Sequence, residues 1–123
     1  MNKTTAEQWK TITKYKNFNF PGKYEISSWG RIRNKDTKEP LATYDSQKGN
    51  GYLKTKIRDT EGVRRMVYIH TLVALCFLEA PKAEGLEVNH IDGNSLNNSF
   101  SNLEWITHAE NMREMRRLRG RAE

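Results

Sequence analysis

At 123 residues, with 36% of them hydrophobic and a mean hydropathy of −0.88, the chain has room for one modest core and a wet surface, not two full domains. Lys and Arg number 21 against 15 Asp and Glu, a net charge of +6, which favours a polyanionic partner such as nucleic acid. A membrane surface is disfavoured because no strongly apolar amphipathic helix is available, and a single cysteine excludes a disulfide framework or a Cys-built zinc site.

The first half alternates apolar and polar residues. Tyr24–Ser27 and Gly30–Arg33 are predicted as two short strands around a Ser28-Trp29-Gly30 turn. Gly51–Arg58 alternates more clearly, with Leu53, Thr55 and Ile57 on one face and Tyr52, Lys54, Lys56 and Arg58 on the other. Asp59-Thr60-Glu61-Gly62 makes a hairpin turn, and Val63–Ile69 returns as the partner strand. This sheet is expected to be apolar on one side and basic on the other. Lys54, Lys56, Arg58, Arg64 and Arg65 are its candidate DNA contacts, and Arg31 and Arg33 in the preceding strand are two more.

The alternation ends at His70, and His70–Leu78 reads as a short buried helix that His70 opens and is placed to cap; contact with a phosphate is the other role open to it. Cys76 lies in the apolar run Leu72–Leu78 and behaves there as a small hydrophobe. Pro81 and Gly85 mark a loop, Glu87–His90 a strand, and Asp92–Ser99 a second loop rich in residues that bond their own backbone. Leu103–Ile106 is a further strand. A final helix opens with the capping box Thr107-His108-Ala109-Glu110.

Along that helix Asn111, Met115 and Leu118 share one face, while Arg113, Arg116, Arg117 and Arg119 line the other. Asn111 is the odd member of an inward apolar face. An unpaired buried amide costs about 1–3 kcal/mol, so something polar should face it. Arg113, Arg116 and Arg117 are expected to straddle backbone phosphates. Asp92 reads most simply as a turn residue, and His108 as a surface residue near the helix start. Trp9 and Trp105 are expected in the core, with Trp29 in an exposed turn.

Residues 87–111, E-V-N-H-I-D-G-N-S-L-N-N-S-F-S-N-L-E-W-I-T-H-A-E-N, resemble the motif of the HNH endonucleases, in the His-Asn-Asn subset found in phage and group I intron homing endonucleases. Tyr68–Ala74 is similar to the segment that precedes this motif. Trp9–Ile12 and Tyr24–Arg33 resemble the β-rich module that often stands before such nucleases.

The resemblance implies an α+β protein: a β-rich DNA-recognition module over 1–66 and a ββα-metal nuclease over 67–123, packed as one compact unit. It implies catalytic roles for His90, the general base, and for Asn102, which orients that imidazole. Asn89 and Asn111 become ligands of one divalent ion, Mg²⁺ or Mn²⁺. Asn89 stands where many relatives carry an Asp, which leaves the ligand set without protein charge unless Asp92 or the scissile phosphate supplies it. The expected partner is double-stranded DNA, met by a monomer with no obligatory protein partner. A phage-encoded protein of the bacterial cytoplasm is expected, since no leader-like apolar stretch opens the sequence. Two other readings stay open: a catalytically silent DNA-binding descendant, and a nuclease acting on RNA or within a phage packaging assembly.

Overall fold

In the computed structural model the described residues are 6–45 and 51–113. Strands β1 (Trp9–Thr11), β4 (Tyr24–Ser27) and β5 (Ile32–Asn34) form an antiparallel sheet in the order β1-β4-β5. Between them, β2 (Lys14–Tyr15) and β3 (Phe18–Asn19) make a small hairpin. A second antiparallel sheet contains β6 (Tyr44–Asp45), β7 (Leu53–Arg58) and β8 (Arg64–Tyr68). Helix α1 (Ile69–Phe77) follows β8 directly, and β9 (Glu87–His90) pairs with β10 (Leu103–Ile106). A helix then begins, described over 108–113. The architecture is α+β.

The β7–β8 hairpin follows from its turn chemistry. Asp59 Oδ1 accepts the N–H groups of Glu61 (2.9 Å) and Val63 (3.0 Å), and Gly62 takes the left-handed φ of 81° that closes the turn. The resulting register places Thr55 opposite Val67 and Ile57 opposite Arg65. Thr55, Ile57 and Val67 are buried under α1, and Lys56, Arg58, Arg64 and Met66 are exposed on the reverse face.

Helix α1 is buried along Ile69, Leu72, Val73 and Ala74 and packs against β4, β7, β8 and β10. One core therefore joins both halves: Ile12, Ile26 and Ile32 lie in the same cluster as Ile57, Val67, Leu72 and Leu103. Burying each such aliphatic side chain contributes about 1.5–3 kcal/mol. Residue 66, where the two expected parts meet, falls inside β8, so one strand runs across that boundary. Among the described residues no helix is long and apolar enough to cross a membrane.

The short strands β1, β2, β3 and β6 extend the expected pattern, since two or three residues are too few to show a period. The helix expected at 70–78 begins and ends one residue earlier. Its opening differs in chemistry as well. Tyr68 occupies the cap position without a side-chain bond, and His70 caps nothing.

Candidate functional site

His90 closes β9 and is 5% exposed. Its ring lies in an aromatic cluster with Tyr52, at a centroid distance of 5.7 Å and an interplanar angle of 13°, and with His70 at 5.1 Å. Burial pushes the His90 pKa below its ordinary value, against the opposing pull of Asn98 and Asp92. Burial thus favours the neutral form of the ring. Its Nε2 lies 2.7 Å from Asn98 Oδ1. An amide oxygen only accepts, so Nε2 carries the proton and Nδ1 keeps the lone pair.

Asn102 does not hold that ring, as the resemblance had implied. Its Nδ2 donates to Asp92 Oδ1 and to the Asn97 carbonyl, both at 2.9 Å, while its Oδ1 accepts the Asp92 N–H at 3.0 Å. Asn102 thus ties the loop between β9 and β10 into one shape, and Asn98 on that loop reaches the imidazole. In a stretch with asparagines at 94, 97, 98 and 102, no spacing singles out the one that faces the ring. Asp92 is a turn residue: it accepts the Asn94 N–H (2.8 Å) and an Asn97 amide proton (2.9 Å).

The loop is also braced from the N-terminal sheet. The Phe100 N–H donates to the Ser28 carbonyl at 2.9 Å, and Gly30, at a φ of 90°, lies where a Cβ would come within 2.7 Å of Asn98 Cβ. Only glycine fits both the backbone angle and the space.

Asn89 and Asn111 each give their amide N–H to a carboxylate. Asn89 Nδ2 donates to Glu104 Oε2, its cross-strand neighbour, at 2.8 Å, and Asn111 Nδ2 donates to Glu87 Oε1 at 2.8 Å. Glu87 is thus the polar group that faces the inward amide of the last helix. The Asn111 amide and the His108 ring, whose Nδ1 lies 2.8 Å from Glu87 Oε2, hold the Glu87 carboxyl below its usual range. The capping box forms as expected: Thr107 N–H donates to Glu110 Oε1 (3.0 Å) and Glu110 N–H to Thr107 Oγ1 (3.1 Å). This fixes the turn that brings Asn111 to β9.

A cleft of about 530 Å³ lies beside these parts, lined by Tyr52, Tyr68, His70, Glu87, Val88 and Asn111, while His90 and Asn89 do not line it. His70 Nδ1 is buried there without a hydrogen-bond partner, and burial pulls its pKa down to about 3. Among the described residues no cluster of three His, Cys, Asp or Glu side chains is placed to hold a metal. The donors that the site offers are amide oxygens backed by carboxylates. A hard, partly hydrated cation such as Mg²⁺ or Mn²⁺ suits such a set.

The candidate DNA contacts divide. Lys54, Lys56, Arg58 and Arg64 share the outer face of the β7–β8 hairpin. Arg65 lies on the inner face, bonded to Asp59 Oδ2 at 2.8 Å and stacked 4.1 Å from the Phe18 ring centroid. It braces the hairpin and does not belong to the basic face. Arg33 is likewise engaged, donating to Glu25 Oε1 at 2.7 Å with its guanidinium 3.5 Å from the Trp9 ring centroid. Arg31 is exposed and paired with Glu7 through both carboxylate oxygens. Arg113 is exposed, and Arg116 and Arg117 lie outside the described residues. Trp9 and Trp105 are half-buried, while Trp29 is 46% exposed.

Residues 67–113 match the HNH endonuclease family and residues 7–58 match the NUMOD4 motif. An HNH endonuclease of Acanthamoeba polyphaga mimivirus is 36% identical over 100 residues, which cover 81% of this chain and 29% of that protein. YosQ, named as an SPbeta prophage-derived HNH homing endonuclease of Bacillus subtilis (strain 168), is 40% identical over 90 residues, 70% of this chain and 48% of that one. DNA endonuclease I-HmuI of Bacillus phage SP01 is 32% identical over 105 residues, 85% of this chain and 55% of its own length. A solved structure titled for DNA binding and cleavage by I-HmuI superposes with a TM-score of 0.74 at 32% identity, covering 92% of this chain and 59% of that one. The chain thus spans between about three tenths and about three fifths of the length of these relatives.

Proposed function

Because this chain belongs to the HNH endonuclease family, we propose that it hydrolyses phosphodiester bonds of duplex DNA with His90 as general base and a divalent cation as cofactor. The observation that carries the reading is the state of the His90 ring. It is buried, which favours its neutral form, and its Nε2 is pinned by Asn98, which leaves Nδ1 as the basic atom.

Phosphodiester hydrolysis needs a water attacking in line with the leaving oxygen, and a base unprotonated at the working pH to take its proton. His90 Nδ1 is that base. As the ring takes up the proton, Asn98 Oδ1 holds its far side and keeps the imidazolium oriented. Asn89 and Asn111 are the groups that would hold the cation, which when bound supplies charge for the phosphate and the departing 3′-oxygen. The basic outer face of β7 and β8, with Lys56, Arg58 and Arg64, neutralises backbone phosphates beside the cut, and Arg113 and the residues after it extend that contact. In this reading 1–66 recognises DNA, 67–123 cuts it, and the protein is a phage-type homing nuclease acting as a monomer in the host cytoplasm.

One observation favours a second reading. Asn89 offers an amide where a carboxylate would bind a hard cation more tightly, which fits a DNA-binding descendant that no longer cuts. Incubating supercoiled plasmid with the protein and Mg²⁺ or Mn²⁺ separates the two. Nicking that His90→Ala abolishes, with gel-shift binding retained, is the expected result. Binding by the wild type without nicking in either metal overturns the catalytic reading.

A further inference from the structure

Two neutral amides are a weak ligand set for a divalent cation. An amide group is also two-faced, since its N–H end repels a cation as strongly as its oxygen attracts one. Each amide here has its N–H end committed. Asn89, 7% exposed, gives it to Glu104, and the half-buried Asn111 gives it to Glu87. Among the described residues neither Oδ1 carries a hydrogen bond.

The backbone makes this arrangement coherent. Glu104 stands directly opposite Asn89 in the β9–β10 register, where side chains lie about 5 Å apart at Cβ. Glu87 precedes Asn89 by two residues and so shares its face of β9, about 7 Å along the strand. Two carboxylates and one amide therefore share one face of the hairpin, and the helix starting at 108 brings the second amide, Asn111, against Glu87.

Accepting the metal-dependent reading above, we infer that Glu104 and Glu87 are positioning residues for the cation. Each holds one ligand amide by its N–H, turns Oδ1 toward the ion, and supplies negative charge that the amides themselves lack. The charge missing at position 89 is thereby provided from the neighbouring strand and from two residues upstream. This also accounts for a buried amide and a partly buried carboxylate facing each other at positions 89 and 104, where an apolar cross-strand pair would serve the sheet as well.

The test is Mn²⁺ titration of the free protein, followed by the electron paramagnetic resonance signal of unbound ion, with thermal unfolding measured in parallel. Glu104→Gln and Glu87→Gln keep an oxygen that accepts the amide proton but remove the charge. Each is expected to weaken Mn²⁺ binding about tenfold or more while leaving the melting temperature within a few degrees. Mn²⁺ affinity unchanged in both Gln variants, while Asn89→Ala and Asn111→Ala abolish binding, overturns the inference and leaves the metal site standing. Mn²⁺ binding untouched by all four variants removes the metal site and the inference together.

Discussion

The ring of Tyr52 lies nearly parallel to that of His90, 13° apart in plane and 5.7 Å between centroids. Tyr52 is itself 41% exposed, so it covers the imidazole as a roof with one side in water. Removing it lets solvent reach the ring and relieves the burial that depresses the His90 pKa. With His90 as the proposed general base, nicking is expected to rise with pH through that pKa and level above it. In the wild type the half-rise falls below pH 6.5. Tyr52→Ala moves it upward, toward the value of a free imidazole, and the rate at pH 6 relative to pH 8 drops several-fold. A pH–rate profile with an unmoved acidic limb would show that Tyr52 does not shield the base.

Gly30 and Asn98 set a second expectation. Gly30→Ala strains a φ of 90° and drives a methyl group to 2.7 Å from Asn98 Cβ. The loop must shift, and Asn98 shifts with it. We expect a stability loss of about 1–3 kcal/mol by urea unfolding, together with a nicking rate at least tenfold lower at temperatures where the variant is folded. Asn98→Leu removes the contact to His90 without touching Gly30 and lowers the rate to a similar degree.

Adjacent arginines should behave oppositely. Arg64→Gln removes a charge from the outer basic face and weakens binding to duplex DNA about equally for all sequences, reducing the salt slope of log K by about 1. Arg65→Gln breaks the bond to Asp59 and the stack on Phe18. Its expected effect is a stability loss of about 1–2 kcal/mol, with the salt slope unchanged. Fluorescence anisotropy across a salt series and a denaturation curve for each variant check both.

His70 makes stability depend on acid. Its folded pKa is about 3, well below 6.5, because burial opposes charging. Above pH 6.5 neither state takes the proton, and the full stability is present. As pH falls from 6.5 toward 3, the unfolded chain binds a proton that the folded chain excludes. Stability then declines by up to about 1.4 kcal/mol per pH unit from this group. His70→Phe keeps a ring against both Tyr52 and His90, removes the unpartnered Nδ1, and flattens that decline. Unfolding free energies at pH 7, 5.5 and 4.5 test it, and equal slopes in both proteins would refute the assignment.

What the sequence revealed depended on period and local chemistry. Six residues of alternation in β7 and the capping box at Thr107 are local signals, and both elements appear where the pattern puts them. The strand Glu87–His90 and its partner Leu103–Ile106 are likewise in place. The side-chain pairings were hidden because they are long-range. That Asn98 rather than Asn102 meets His90 depends on how an asparagine-rich loop closes, and that closure is fixed by Asp92 and by contacts from Ser28 and Gly30, some 70 residues away. Arg65 looked equivalent to its neighbours because charge does not announce which face of a strand it occupies once Asp59 pulls it inward. Glu87 and Glu104 carried no signal at all until the register of β9 and β10 set them beside the amides.

The Ser28 carbonyl that receives the Phe100 N–H makes the turn after β4 a keystone rather than a hinge. Grafting the segment from β9 onward behind a foreign N-terminal part would therefore need more than matched linkers. A donor lacking a glycine at the turn, or an open carbonyl before it, would splice cleanly as a sequence and still misplace the imidazole. Chimeras should keep the turn and the loop it braces from one parent, with no junction between Gly30 and Asn98.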